Sequence, residues 1–280
     1  MTFDHLLVAH DAGGANALLS LICNKINYHA LASGPAAKIL SKLGNIELIE
    51  EYNLFEYDMI LLATGFEKTW LDILSQCNEH NLNYSVVLDH WSNYQRRFEL
   101  NGVLVMPNHI TTLDSYATGL IGKVFPNAKV VQKKNIHLEK QKRYVWAKRK
   151  RVLKSNILFI GEYTNYFLTK FGKYYEQVLF EQFCEYMINM KENSRLVLRL
   201  HPSEERGKYS SLNTNYHYEI SNNSLEDDLA AAHLVVGHDS HALFLAHEIG
   251  IPCERLCLSN HYVYYQLPID LPVLFLACDQ

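Results

Sequence analysis

The segment "VVGHDSHALFLAHEIGIP" (235–252) reads as one strand, one turn and one helix. Its apolar run closes at Gly237. His238-Asp239-Ser240 then opens a helix, and serine is a favoured cap there. Gly250 ends that helix, and Pro252 lies just beyond it. A nearly continuous apolar strand followed by a helix is the unit of a parallel sheet covered on both faces. The free N–H groups at the start of such a helix can hold a phosphate.

The same alternation extends in both directions. Upstream, "NILFIGEY" (156–163), "RLVLRLHP" (195–202), "YHYEIS" (216–221) and "HLVVGH" (233–238) read as strands. "YYEQVLFEQFCEYMINM" and "SLEDDLAAA" read as helices, the second with Ser224 at its N-cap and acids in its first turn. Downstream, "CERLCL" is a strand, and "LPIDLPVLFLACDQ" reads as a buried terminal strand broken by Pro272. In the first half, strands are expected at 5–10, 28–33, 45–52, 57–65, 83–90 and 102–107, separated by helical segments. The expected class is therefore α/β, with two doubly wound Rossmann-like domains facing a central cleft. The boundaries read as 1–135, a basic linker at 136–154, and 155–280.

Composition bounds the function. The chain has 280 residues, 48% of them hydrophobic, and a formal net charge of -4. Bulk electrostatics do not make it a nucleic-acid binder. It shows neither a signal-peptide pattern nor an apolar run of about 18 residues. The six cysteines contain one CxxxC pair, Cys253 and Cys257, without a second pair to complete a zinc set. A reducing, cytoplasmic setting is expected. Ten of the 26 Lys and Arg lie between Lys133 and Lys154. That run reads as a linker or solvated helix face, with contact to an anionic membrane as the alternative.

Four loops at strand ends carry the reactive residues. "HDAGGAN" (10–16) offers Asp11, the close-approach glycines Gly13 and Gly14, and Asn16. "LDHWSNYQRRF" (88–98) offers Asp89 as a general base with His90 to orient it, and Trp91, Asn93 and Tyr94 to suit a sugar ring. In "LVLRLHPSE" (196–204), Arg199, His201 and Ser203 can donate to phosphate oxygens, and Pro202 fixes the turn. The fourth loop is the opening stretch, with Gly237, His238 and Ser240. No metal site is expected, because His241 and His247 stand six apart and face differently on a helix.

The second half resembles the donor-binding domain of GT-B glycosyltransferases. The carrying pattern is G-x-x-S-x-A-x-x-x-A-x-x-x-G-x-P: Gly237, Ser240, Ala242, Ala246, Gly250 and Pro252. Many of those enzymes have Glu where this chain has His247. "LRLHP" followed by "GHDSHAL" is similar to bacterial sialyltransferases and teichoic-acid glycerophosphotransferases. "VLDHWSNY" stands where the sialyltransferases carry an acidic motif but lacks their Asp-Gly continuation. The resemblance implies transfer of a sugar from a nucleotide-activated donor, CMP-linked and sialic-acid-like by preference, to a glycan acceptor in surface polysaccharide synthesis. It implies Asp89 or Asp11 as base, and Gly161, Glu162, Arg199, His201, Pro202, Ser203, Gly237, His238 and Ser240 on the donor side. Gly13, Gly14, Asn16, Trp91, Asn93 and Tyr94 would line the acceptor side, and no metal or other cofactor is needed. Two alternatives share the architecture: a UDP-sugar hydrolase or UDP-GlcNAc 2-epimerase, and a non-catalytic nucleotide-sugar binder.

Overall fold

The structure is a computed structural model. It describes residues 4–64, 68–149, 156–162, 174–202, 204, 206–209, 212, 214–259 and 267–277. The chain falls into two units, Met1–Glu139 and Lys140–Gln280.

The first unit contains β1 (His5–Ala9), α1 (Ala12–Leu18), β2 (Tyr28–Ala32), α2 (Gly34–Leu40), β3 (Ile46–Leu48), β4 (Met59–Ala63), α3 (Lys68–Glu79), β5 (Tyr84–Val87) and α4 (Tyr94–Arg97). There follow β6 (Glu99–Leu100), β7 (Val103–Leu104), β8 (His109–Thr112), α5 (Ser115–Val124) and β9 (Lys129–Gln132). Seven strands form one sheet in the order β3-β2-β1-β4-β5-β8-β9, every pair parallel. Alternation along each strand feeds two cores. Leu6, Val8, Ile60, Leu62 and Val86 pack with Trp70, Leu74 and Ile121 of α3 and α5. Leu7, Ala9, Leu61, Ala63 and Val87 pack with Ala15, Leu18, Ala36 and Leu40 of α1 and α2.

The second unit contains β10 (Asn156–Ile160), α7 (Tyr175–Asn189), β11 (Arg195–Arg199), β12 (Tyr218–Ile220), α8 (Leu225–Ala231), β13 (Leu234–Gly237), α9 (His241–Ile249), β14 (Cys253–Leu258) and β15 (Val273–Leu276), and most of α6 (Ile136–Lys148). Its sheet runs β12-β11-β10-β13-β14-β15, again all parallel. This is the 3-2-1-4-5-6 order of a doubly wound domain. Phe159, Leu198, Val236 and Leu256 pack with Leu179, Phe180 and Phe183 of α7.

The sequence reading needs correction in four places. "GVLVMP" (102–107) is no strand of the main sheet: Val103 and Leu104 pair antiparallel with Glu99 and Leu100 and are exposed. The sixth and seventh strands are instead "HITT" and "KVVQ", and the second of these is a mostly exposed edge. α1 begins at Ala12, inside the expected glycine loop, because the Asp11 side chain caps it by accepting from Gly14 N. The terminal strand is an edge strand rather than a buried one, with Phe275 64% exposed.

The basic segment forms helix α6. Its Gln141 and Val145 are buried, Lys142 pairs with Glu248, and Lys148 with Asp227. Lys140, Arg143 and Tyr144 are exposed. Residues 150–154 of this segment, Tyr163, Ser203 and Cys278 lie outside the described residues. Among the described residues, no helix is long and apolar enough to cross a membrane.

Candidate functional site

In each sheet the order of connection reverses beside the first strand of that unit, between β1 and β4 and between β10 and β13. Ligands of open α/β sheets bind outside the carboxyl ends of strands at such a point. Reactive side chains gather at both.

In the first unit, Asp11 follows β1, Thr64 follows β4 and Asp89 follows β5. Thr64 Oγ1 donates to Asp89 Oδ1 at 2.5 Å, and Arg97 Nη1 lies 3.5 Å from the same oxygen. The Asp89 side chain is 8% exposed. Its other oxygen faces Gly13, where an added Cβ would lie 2.5 Å from Oδ2. A Cβ at Gly14 would lie 2.8 Å from Ala63 Cβ and 3.2 Å from Asp11 Oδ1. The two glycines thus let α1 approach the carboxylates. Burial, and then the charge of Asp89, push the Asp11 carboxyl up to about 6.

The expected neighbours are divided. His10 Nδ1 lies 2.8 Å from Ser33 Oγ, and His90 Nδ1 lies 3.0 Å from Ser92 Oγ. Asp89 is held by Thr64 and Arg97, two residues the sequence reading did not single out. Trp91 is buried and donates to Asp114 Oδ2 at 2.8 Å; Tyr94 is buried and donates to His90 O at 2.6 Å. Asn93 has φ 58°, the left-handed conformation that starts α4, and its side chain is exposed. Asn16 is half-buried on α1.

Asp11 yields a prediction about stability. Its folded pKa, about 6, is above the ordinary aspartate value of 3.8. The group therefore favours folding below about pH 4, and that contribution is lost as pH rises through 6. Asn at this position keeps an oxygen for Gly14 N but carries no charge. Asp11→Asn should therefore melt with the wild type near pH 4 and above it at pH 7.5. The gain is at most about 3 kcal/mol. Thermal melts at the two pH values check it, and a variant less stable at pH 7.5 contradicts it.

In the second unit, Gly161 and Glu162 follow β10, His201 follows β11, and His238, Asp239 and Ser240 follow β13. Ile160 stands in register with Gly237. A Cβ at Gly237 would lie 2.9 Å from Ile160 O, and one at Gly161 2.9 Å from Glu204 Oε2 and 3.0 Å from Arg199 O. Ser240 caps α9 by accepting from Leu243 N at 3.3 Å. His238 meets the Tyr175 ring edge-on, with centroids 5.2 Å apart. Burial pushes both His201 and His238 down to about 4, so both rings are neutral near pH 7. Pro202 is exposed.

Arg199 is engaged elsewhere. Its Nη1 donates to Asp228 Oδ2 at 2.7 Å and to Asn223 O at 3.0 Å, tying β11 to the start of α8. The residue behind the His201 loop is Glu204, which closes the "LVLRLHPSE" stretch and was given no role there. Its Oε2 accepts from His201 N at 2.8 Å, and its Oε1 pairs with Lys208 at 2.7 Å. Lys208 also pairs with Glu176, and all three side chains are nearly fully buried. Arg255 pairs with Asp239 at 3.0 Å, both buried.

No protein-family model matches the chain, and no curated protein matches it in sequence. Solved structures do match in fold. A candidate UDP-N-acetylglucosamine 2-epimerase from Listeria monocytogenes superposes with TM-score 0.60 at 15% identity, over 91% of this chain and 79% of that one. The wall teichoic acid polymerase TagF gives 0.55 at 10% identity, over 96% and 76%. The UDP-GlcNAc 2-epimerase from Neisseria meningitidis, solved with UDP-GlcNAc bound, gives 0.52 at 13% identity, over 90% and 81%. Two doubly wound α/β units with this likeness define a GT-B-type fold.

Proposed function

We propose that the protein is a GT-B-type glycosyltransferase that moves a sugar from a nucleotide-activated donor to a hydroxyl acceptor. The observation that carries this reading is the pair of Asp11 and Asp89, whose carboxyl oxygens both flank Gly13 and one of which is shifted to about 6. A carboxylate poised near neutrality is what a base for hydroxyl attack requires. In the proposed step, the carboxylate pair takes the acceptor proton, and Asp89 Oδ2 is the oxygen that faces Gly13. The acceptor oxygen bonds to the anomeric carbon as that carbon's bond to the donor phosphate breaks. Within the second unit, N–H groups at the start of α9 and the neutral His201 ring are the proposed contacts of the donor phosphate. Arg199 is left out of the proposed step, because its Nη1 is engaged by Asp228 and Asn223.

The donor is proposed to be a nucleotide sugar. Two fold neighbours support this class: one was solved with UDP-GlcNAc, and a TagF variant was soaked with CDPG. The "RLHP" context favours a cytidine-linked donor, of the sialic-acid-like kind, within surface polysaccharide synthesis. A second reading is 2-epimerisation of a UDP-sugar, favoured by the likeness in fold to a UDP-GlcNAc 2-epimerase and to a candidate one. Epimerisation also needs paired acid and base groups, which Asp11 and Asp89 could supply.

Calorimetric titration with CMP, CDP, UDP and GDP tests the reading, with His201→Ala as control. Binding of a cytidine nucleotide, weakened about tenfold or more in His201→Ala, supports the transferase. Preference for UDP shifts weight to the epimerase. Absence of binding to all four overturns the proposal.

A further inference from the structure

The loop that carries Asp89 is pinned at two residues the sequence reading gave to a sugar ring. Trp91 and Tyr94 are 7% and 5% exposed, so neither ring presents a face for a sugar to stack on. Each directs its polar atom at a fixed partner instead. Trp91 Nε1 donates to Asp114 Oδ2 at 2.8 Å, and the Tyr94 hydroxyl donates to His90 O at 2.6 Å. Asp114 is itself anchored. Its Oδ1 caps α5 by accepting from Ala117 N at 2.7 Å, and its backbone O accepts from Thr118 Oγ1 at 2.8 Å.

These contacts bracket Asp89. Leu88 N donates to Thr111 O at 3.0 Å, which joins the chain before Asp89 to β8. His90, the residue after it, is held by Tyr94, and Trp91 is held by the start of α5. Asn93, in its left-handed conformation, turns the chain into α4, and Arg97 Nη1 comes within 3.5 Å of Asp89 Oδ1. The Asp89 Oδ2 atom then faces Gly13, 2.5 Å from where a Cβ would stand, and Asp11 Oδ1 lies 3.7 Å from the same point. Loops at strand ends are mobile unless tied, and a misplacement of about 1 Å at a reacting group costs on the order of 10² in rate.

We propose that Trp91 and Tyr94 are positioning residues, with Asp114 as the anchor of the first, and that they keep Asp89 Oδ2 beside Gly13 and Asp11. The proposal rests on the reading of Asp89 as part of the base and names the residues that set its place. Loss of either donor leaves Asp89 its contacts with Thr64 and Arg97 but slackens the turn that follows it. The carboxyl can then draw away from Asp11, whose like charge repels it. Asp11 reports that movement. Burial, and then the charge of Asp89, hold its carboxyl up at about 6, while Gly14 N, Arg97 and His10 pull it down.

The test is a carbon-13 NMR titration of the Asp11 carboxyl in wild type, Trp91→Phe, Tyr94→Phe and Asp89→Asn. In Asp89→Asn the midpoint should fall from about 6 part of the way toward 3.8, because the neighbouring charge is gone. Trp91→Phe and Tyr94→Phe, which keep an aromatic ring and lose the donor, should each lower it in the same direction. Combined with Asp89→Asn, neither should lower it further. Melting curves confirm that each variant is folded, and Tyr94→Phe, which deletes a single oxygen, carries the test if Trp91→Phe does not fold. A fall in one variant alone narrows the role to that ring. A midpoint unchanged in every folded single-ring variant overturns the proposal. An equal fall with and without the Asp89 charge also overturns it, since the rings would then act only by keeping water from Asp11. Neither result touches the base reading itself, which fails if Asp89→Asn retains full activity.

Discussion

Asp89→Asn is expected to lower turnover of the donor by about a thousandfold while leaving nucleotide affinity within about twofold of wild type. The size follows from the contribution of a positioned general base, roughly 10²–10⁴ in rate. The asymmetry follows from geometry. Asp89 lies at the carboxyl end of β5 in the first unit, whereas the proposed nucleotide contacts belong to β10, β11 and β13 of the second. Asparagine keeps an oxygen to accept from Thr64 Oγ1, so the loop should hold its shape. Single-turnover assays beside calorimetry separate the two quantities. A matched loss of affinity and turnover would show that Asp89 acts through the fold. Full activity would remove it from the mechanism.

Lys208→Met is expected to destabilise the second unit by about 3–5 kcal/mol, the cost of leaving a buried charge uncompensated. That corresponds to a fall of about 10 °C or more in its melting temperature. Lys208 is the shared partner of Glu176 and Glu204 in a nearly dry interior, and Glu204 Oε2 in turn holds His201 N. Without the ammonium, the two glutamates can relieve the cost only by taking up protons. The deficit should therefore shrink as pH falls toward 5. The double variant Lys208→Met, Glu176→Gln should recover part of the loss. Melts across pH 5–8 check this, and a loss below about 1 kcal/mol would show that the network is solvated rather than buried.

The sheet architecture was legible because its central strands are nearly continuous apolar runs between turn signals. "HLLVA", "MILLA", "NILFI" and "LVVG" all appear as parallel strands. The outer strands were harder. "HITT" has a single large apolar residue, and "KVVQ" is short and exposed, while the apolar "VLVM" nearby forms only a hairpin. Two glycines after Asp11 looked like a loop. They are the first turn of α1, where a side chain would collide with Asp89 or Ala63.

The sites were legible as positions at strand ends but not as networks. Asp11, Asp89, His201 and His238 all lie at carboxyl ends of strands, as the alternation required. Their partners come from far along the chain, and no local pattern announces them. Thr64 reaches Asp89 across 25 residues, and Asp228 claims Arg199 across 29. Glu204 stood in plain view in "LHPSE". Its role needed the fold to bring Lys208 and Gly161 against it.

The central claim is that the carboxyl ends of β10, β11 and β13 bind a nucleotide. Backbone amide NMR of the isotope-labelled protein, titrated with CDP and with UDP, tests it most directly. The account predicts saturable shifts concentrated at Gly161, Glu162, His201 and His238–Leu243, with the amides around Asp11 and Asp89 little changed. Shifts centred on other strand ends, or no shifts at millimolar nucleotide, would contradict it.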